Sequence, residues 1–351
     1  MKQDWIEFLR NNGAEFNENI VESFGNPTRE LRLASNGDIL VDLSHTGLIA
    51  IRGEDAETFL QGQFTNDIRK VDLEHLQISG YCSPKGRLLS NFLIFKRADS
   101  YFLRLPKSLI EETVKRLRMF VLMSKVVMED TSDGQIHIGY SGPNAEKELQ
   151  DQLGNIPATE FESTQVNDLT ILRLPGINPR FEILGPLNDI KKLWGALNVR
   201  GAPVGSEVWS WLSIKSGLPL IMPQTVDAFV PQMVNMQLIN GVNFKKGCYT
   251  GQEIVARMQY LGKLKRRMYL AHVDSSTRPT EGDPIFSPSS KSGQGTGKIV
   301  NVCHAPDGGF DILAVIEISS VETSSVHIND IDGPTLTFMD LPYSFDIEEN
   351  E

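Results

Sequence analysis

The sequence predicts an α+β protein with a ferredoxin-like plait in its middle and a small antiparallel β-barrel at its C-terminal end. Three observations predict it. From Gln135 to Leu197 the pattern runs strand, helix, strand, strand, helix, an order that packs naturally as a split β-α-β plait. After Arg267 short β-prone runs alternate with Gly/Pro/Ser turns, the texture of a small barrel or sandwich. The 351 residues, at about 150 per domain, imply two or three domains.

In chain order, Trp5, Ile6, Phe8 and Leu9 cluster on one side of a first helix. Ile39-Leu40-Val41 and Leu48-Ile49-Ala50-Ile51 read as strands joined through Ser44 to Gly47. Gly53 breaks the second, and Asp55 stands where a helix N-cap belongs, before Ala56 to Gln61. Leu76 to Leu105 reads as a β meander. Ser83-Pro84-Lys85-Gly86 is a strong turn, since Pro presets φ and Gly accepts φ > 0; Arg97 to Ser100 is a weaker one. After Pro106, Ile110, Val114, Leu117 and Val121 recur at helical spacing on one face.

The plait takes strands at Ile136-His137-Ile138, Leu169 to Leu174 and Arg180 to Leu184, with helices at Ala145 to Leu153 and Leu187 to Leu197. Gly205 to Ile214 turns helical again, with Trp209 and Trp211 on opposite sides, one for the core and one free to stack on an aromatic ligand. Barrel strands fall at Met268 to Val273, Lys298 to Val302, Ile312 to Ile318 and Thr335 to Phe338. Gly293 to Gly297 lacks a P-loop ending and reads as a turn. The acidic tail Asp346 to Glu351 reads as frayed.

Composition excludes several function classes. With 40% hydrophobic and 23% charged residues the chain can bury a sizeable core, which rules out global disorder. Its longest apolar runs, such as Met119 to Met123 and Ile312 to Ile316, are far short of the ~20 residues that cross a bilayer, so no membrane association is expected. The N-terminus lacks the apolar core of a signal peptide. Cys82, Cys248 and Cys303 are odd in number and far apart, which predicts no disulfide framework and a cytoplasmic location. A net charge of −11 argues against a general nucleic-acid coat but leaves room for a local basic patch. The six histidines show no metal-ligand spacing, and no metal site is predicted.

One segment concentrates chemistry, Phe244 to Arg257. Thr250 and Glu253 have the Thr-x-x-Glu spacing of a capping box, which would start a helix at Gly251 and run it to about Tyr260. Cys248 lies two residues ahead of that cap, beside Lys245 and Lys246. Helix-terminus charge and ammonium groups both favour thiolate, and Gly247 and Gly251 permit a tight path that exposes the sulfur. The alternative is a small buried thiol beside an ordinary cap. Lys245, Lys246, Arg257, Lys263, Lys265, Arg266 and Arg267 face only Glu253 as an acid, so the stretch is either a solvated face or an anion site for a polyglutamate, phosphate or RNA strand.

The run from Lys245 to Glu253 resembles the signature of the YgfZ family of folate-binding proteins, which is similar to the T-protein (aminomethyltransferase) of glycine cleavage. Further matches are Leu60 to Asp67, Ser83-Pro84-Lys85-Gly86-Arg87, Phe229-Val230-Pro231-Gln232 and Leu341-Pro342-Tyr343-Ser344. The resemblance implies a three-subdomain ring of T-protein type around a hole that accepts tetrahydrofolate. Residues 1–128 plus 205–260 would form the folate-binding subdomain, 129–204 the plait and 261–351 the barrel. It implies Cys248 as the key functional residue, with Trp209, Tyr249, Gln252, Glu253 and Arg257 for the folate. Thr46 stands where relatives carry a second tryptophan, and Lys215 where a glutamate binds the pterin.

The implied role is an accessory factor in assembling or repairing iron–sulfur clusters of client enzymes, notably the radical enzyme that methylthiolates tRNA. Two alternatives stand beside it. One is a tetrahydrofolate-dependent one-carbon transferase, which needs an acid/base group near the folate nitrogen. The other is a tRNA-binding scaffold using Lys263 to Arg267, with weak, salt-dependent tRNA contact.

Overall fold

A computed structural model describes residues 2–290 and 295–345, so Lys291 to Gln294 of the loop before Gly297 and the tail from Asp346 lie outside the described residues. The chain groups into two compact units. The first comprises Met1–Phe59, Arg69–Gln77 and Leu93–Leu212; the second comprises Leu60–Ile68, Ile78–Phe92 and Ser213–Glu351. The plait region, 129–204, thus falls in the first unit together with most of the N-terminal residues. The barrel region, 261–351, falls in the second together with Cys248 and its neighbours.

The main sheet of the first unit has six strands in the order Ser163–Val166, Leu169–Leu174, Arg180–Gly185, Ile136–Ser141, Ile39–Asp42, Ala202–Val204. The plait is present, but Ile39–Asp42, from nearly a hundred residues earlier, is wedged between its first and last strands. It pairs antiparallel to Ile136–Ser141 and parallel to Ala202–Val204. Nothing local in Ile39-Leu40-Val41 marks this partner choice, which rests on burial of both faces of the strand.

Period-two alternation sorts the central strands. Ile136, Ile138, Tyr140, Phe181 and Ile183 join a core with Leu149 and Leu193 from the two plait helices and with Trp5, Leu9 and Trp194. His137, Gly139, Arg180 and Glu182 therefore occupy the opposite face. The first helix, Gln3–Asn11, seals one end: Trp5 packs edge-on against Trp194 at 5.5 Å and donates its indole N–H to Asp42 Oδ1 at 2.7 Å. In the same unit Thr46–Arg52 pairs antiparallel with Ser100–Pro106 and with Val127–Asp130. The helix after Pro106 spans Ile110–Arg118, burying Ile110, Val114 and Leu117. It ends before Val121, which does not share that face.

In the second unit six antiparallel strands run in the order His327–Ile328, Pro284–Phe286, Gly297–His304, Phe310–Glu317, Arg266–Val273, Leu336–Met339. The sheet curls on itself. Its two edges meet through a bridge between His327 and Thr335, and the Leu336 N–H donates to Val326 O at 2.8 Å. Val273, Ile285, Ile299, Ile312, Ile316 and Ile328 fill its interior.

Candidate functional site

In the second unit the Cys248 segment is built on a glycine-to-glycine contact. The turn Ser83 to Arg87 is closed by hydrogen bonds from Gly86 N to Ser83 O and from Ser83 N to Arg87 O, both 2.8 Å. Gly86 has φ +67° and Gly251 φ +82°. A methyl group on Gly251 would lie 2.4 Å from Ser83 O and 2.8 Å from Gly86 Cα, and one on Gly86 would meet Ile254 at 2.8 Å. Two stretches 165 residues apart therefore touch backbone to backbone, which only residues without a Cβ allow.

Lys246 locks the approach to that contact. Its side chain is buried, and its ammonium donates to Gln61 O (2.8 Å), Phe64 O (2.6 Å) and Asn66 O (2.9 Å). It also lies 5.2 Å from the centre of the Tyr249 ring. Asn66 is itself anchored by donating to Ile78 O and Asn240 O. The sequence places Lys246 beside the thiol as an anion-attracting charge; the structure spends its ammonium on carbonyls of the 61–66 loop instead. That role escaped the sequence reading because the carbonyls belong to residues 180 or more positions away.

Cys248 is exposed, while Cys82 and Cys303 are buried. Burial pushes the Cys82 thiol up to about 12, so it stays protonated. Tyr249 is buried, and burial, then the adjacent Cys82, raises its phenol far above the ordinary range. The expected capping box does not form. The helix spans Gln252–Tyr260 with Gly251, in left-handed conformation, at its N-cap, and no side chain caps it. Close approach to Ser83 demands glycine at the cap and displaces Thr250 from the capping position. Glu253 and Arg257 are exposed and Gln252 is half-buried, its amide 3.5 Å from Gly247 O. Cys248, Tyr249, Gln252, Glu253 and Arg257 thus share one segment.

Trp209 belongs to a different cluster, in the first unit. Glu182 is fully buried and accepts from Arg104 through Nε (3.1 Å) and a second guanidinium nitrogen, from His137 Nε2 (3.0 Å) and from Trp209 Nε1 (3.1 Å). Burial alone would raise its carboxyl; Arg104 and His137 outweigh burial and hold it far below the usual carboxylate range. His137 Nδ1 meets Thr46 Oγ1 at 2.9 Å. His45 beside them is held down to about 4, first by desolvation, then by Arg104 and His137, and its Nδ1 has no hydrogen-bond partner.

The Trp209 ring is enclosed. The Arg180 guanidinium lies 4.2 Å from its centre, and the ring rests on the Cα of Gly139, where a Cβ would approach to 2.7 Å. Trp209 therefore offers no open face for stacking a ligand in this arrangement. Trp211, expected on the other side of the helix, is buried too. Sequence reasoning missed Glu182 and Arg104. The available signal was a charge at the centre of each apolar strand, Phe181-Glu182-Ile183 and Leu103-Arg104-Leu105. Lys215, in the second unit, lies 3.9 Å from the Asp311 carboxylate. Among the described residues no three His, Cys, Asp or Glu side chains converge as a metal ion would need, and no helix is long and apolar enough to cross a membrane.

Residues 11–243 match the family model described as the GCVT N-terminal domain, two thirds of the chain. The chain belongs to that family. Within the GCVT family it is YgfZ-like. It is 30% identical over 305 residues to the tRNA-modifying protein YgfZ of Yersinia pseudotuberculosis, covering 87% of this chain and 92% of the relative. It is 32% identical over 278 residues to the protein of the same name from Colwellia psychrerythraea, covering 79% and 85%. Among solved structures, the glycine cleavage system aminomethyltransferase T from Bartonella henselae superposes with a TM-score of 0.79 over 96% of both chains at 17% identity. That shows a shared T-protein-like α+β fold, and family membership links the chain to folate-binding and aminomethyltransferase-like proteins.

Proposed function

We propose that this YgfZ-like chain is a cytoplasmic, folate-binding accessory factor for iron–sulfur enzymes, including one that methylthiolates tRNA, and that Cys248 is its working group. In this reading the three-subdomain ring of the family surrounds the folate. Cys248 serves as a transient iron or sulfur ligand or as a redox partner. One observation carries the proposal: the exposed thiol sits on a loop whose backbone is fixed from both sides, by Lys246 in its carbonyl cage and by Gly251 against Gly86. A loop this constrained holds a sulfur at a defined place on the surface, as ligand exchange with a client requires.

The residues fit a folate in part. Exposed Lys245 and Arg257 suit the anionic glutamate tail. Trp209, enclosed between Arg180 and Gly139, does not suit its flat part. In the native protein one thiol of the three should react rapidly with a maleimide, against three after unfolding. In a strain lacking the gene, wild type should restore methylthiolated tRNA measured by mass spectrometry. Cys248→Ala, with unchanged circular dichroism, should not. Full restoration by Cys248→Ala removes the thiol from the mechanism.

A further inference from the structure

The helix Gln252–Tyr260 turns an apolar, cationic face to solvent in the second unit. From beneath, the helix is clamped: Val255 is buried, its carbonyl accepts from the Gln232 amide at 2.7 Å, and Gly86 lies against Ile254. Ile254, Arg257 and Leu261 follow at spacings of three and four, so they share the outer side. Ile254 is 38%, Tyr260 66% and Leu261 84% exposed. Phe244 packs edge-on against Tyr260 at the C-terminal end, with ring centres 6.1 Å apart, and Gln252 at the N-terminal end lies 3.5 Å from Gly247 O. Residues 244–248 thus run alongside the helix, and both Lys245 and Cys248 on that run are exposed. The cations here have no counter-charge. Lys245, Arg257, Lys263 and Lys265 are exposed, and among the described residues none of them makes an ion pair. Glu253 is the one acid from Phe244 to Arg267, in a chain whose net charge is −11.

We propose that this face docks an acidic segment of a partner protein that carries apolar side chains, and that docking sets the partner's reacting group beside Cys248. The second half rests on the reading of Cys248 as the working group; the first half does not. Unpaired cations on an otherwise acidic chain select a partner of negative charge and steer it to this face. If a folate tail engages Lys245 and Arg257, Lys263 and Lys265 remain for the partner. Ile254 and Leu261 decide between a protein and a nucleic acid. A single strand is held by aromatic and guanidinium planes against its bases, which leaves aliphatic side chains bare. Apolar anchors inside a polar, charged rim are the anatomy of a protein interface. Because Gln232 and Gly86 clamp the helix, the face is preformed and docking orders little of it.

The full chain is titrated into three fluorescein-labelled helical peptides and a single-stranded RNA of mixed sequence, followed by anisotropy. One peptide carries a leucine stripe among glutamates, one a serine stripe among glutamates and one a leucine stripe among lysines. The leucine–glutamate peptide should bind saturably, about tenfold tighter than the other three probes, and should weaken as salt rises. Leu261→Ser and Lys263→Glu should each weaken it about tenfold with unchanged circular dichroism. The proposal is overturned if that peptide does not bind, if either other peptide binds as well, if the RNA binds more tightly, or if both variants bind as wild type does. A salt-sensitive dimer in sedimentation, lost in Leu261→Ser, overturns it too, since a second copy would then be the occupant. The wild-type panel alone decides the matter if a variant folds poorly. Anisotropy here needs no thiol, so its failure and that of the methylthiolation test are separate results.

Discussion

Glu182 in the first unit and Lys246 in the second are both withdrawn from solvent, and the two units accommodate them differently. Glu182 is met by side chains from several strands: Arg104, His137 and, from a helix, Trp209. It links Ser100–Pro106 to the main sheet and sets the position of the enclosed indole. Lys246 is met by main-chain carbonyls of one loop, and it fixes the path of the chain that leads to Cys248. A buried carboxylate answered by a guanidinium makes each depend on the other. An ammonium answered by carbonyls leaves the partners neutral when it is removed.

The largest effect should come from the ion pair. Glu182→Gln should lower the unfolding free energy by about 3–5 kcal/mol in urea titrations, because Arg104 is left buried without its counter-charge. The double variant Glu182→Met/Arg104→Met should recover a substantial part of that loss; a double variant as unstable as the sum of the singles would show the two charges to be uncoupled. Lys246→Met should cost less, about 2–3 kcal/mol, since it strands neutral carbonyls. It should also accelerate hydrogen exchange in residues 61–66 while leaving the first unit unchanged. Equal losses for the two variants would erase the contrast between the regions.

The smallest effect is a pH slope. The imidazole of His45 is held down to about 4, whereas the unfolded chain takes up its proton near pH ~6.5, so this group lowers stability as pH falls from about 6.5 to 4. Glu182, held low, contributes stability above the ordinary carboxyl value of ~4.3, and that contribution drains away as pH falls below it. His45→Asn should therefore flatten the melting temperature between pH 6.5 and 4.5, by about 2 kcal/mol in stability, and leave the loss below pH ~4.3 in place. An unchanged slope would mean that His45 is solvated in solution.

The plait and the barrel are legible because strand and helix periodicities are local. The Ser83 turn is legible because Pro84 and Gly86 restrict φ on their own. The Cys248 loop is legible for the same reason, in that Gly247 and Gly251 mark an unusual path. The capping box is a case in which local pattern misleads. Thr250 and Glu253 have the right spacing, but contact between Gly251 and Ser83 decides which residue stands at the cap. Trp209 misleads similarly, since its helix does not reveal that Arg180 and Gly139 enclose the ring.

Chain order alone settled the kinds of element and their approximate ends, because those follow from side-chain period and from the φ limits of glycine and proline. Tertiary structure alone decided that Ile39–Asp42 enters the plait and that Lys246 faces carbonyls rather than the thiol. Each of those facts joins residues far apart in sequence, and burial energy, which acts between neighbours in space, leaves no local trace along the chain.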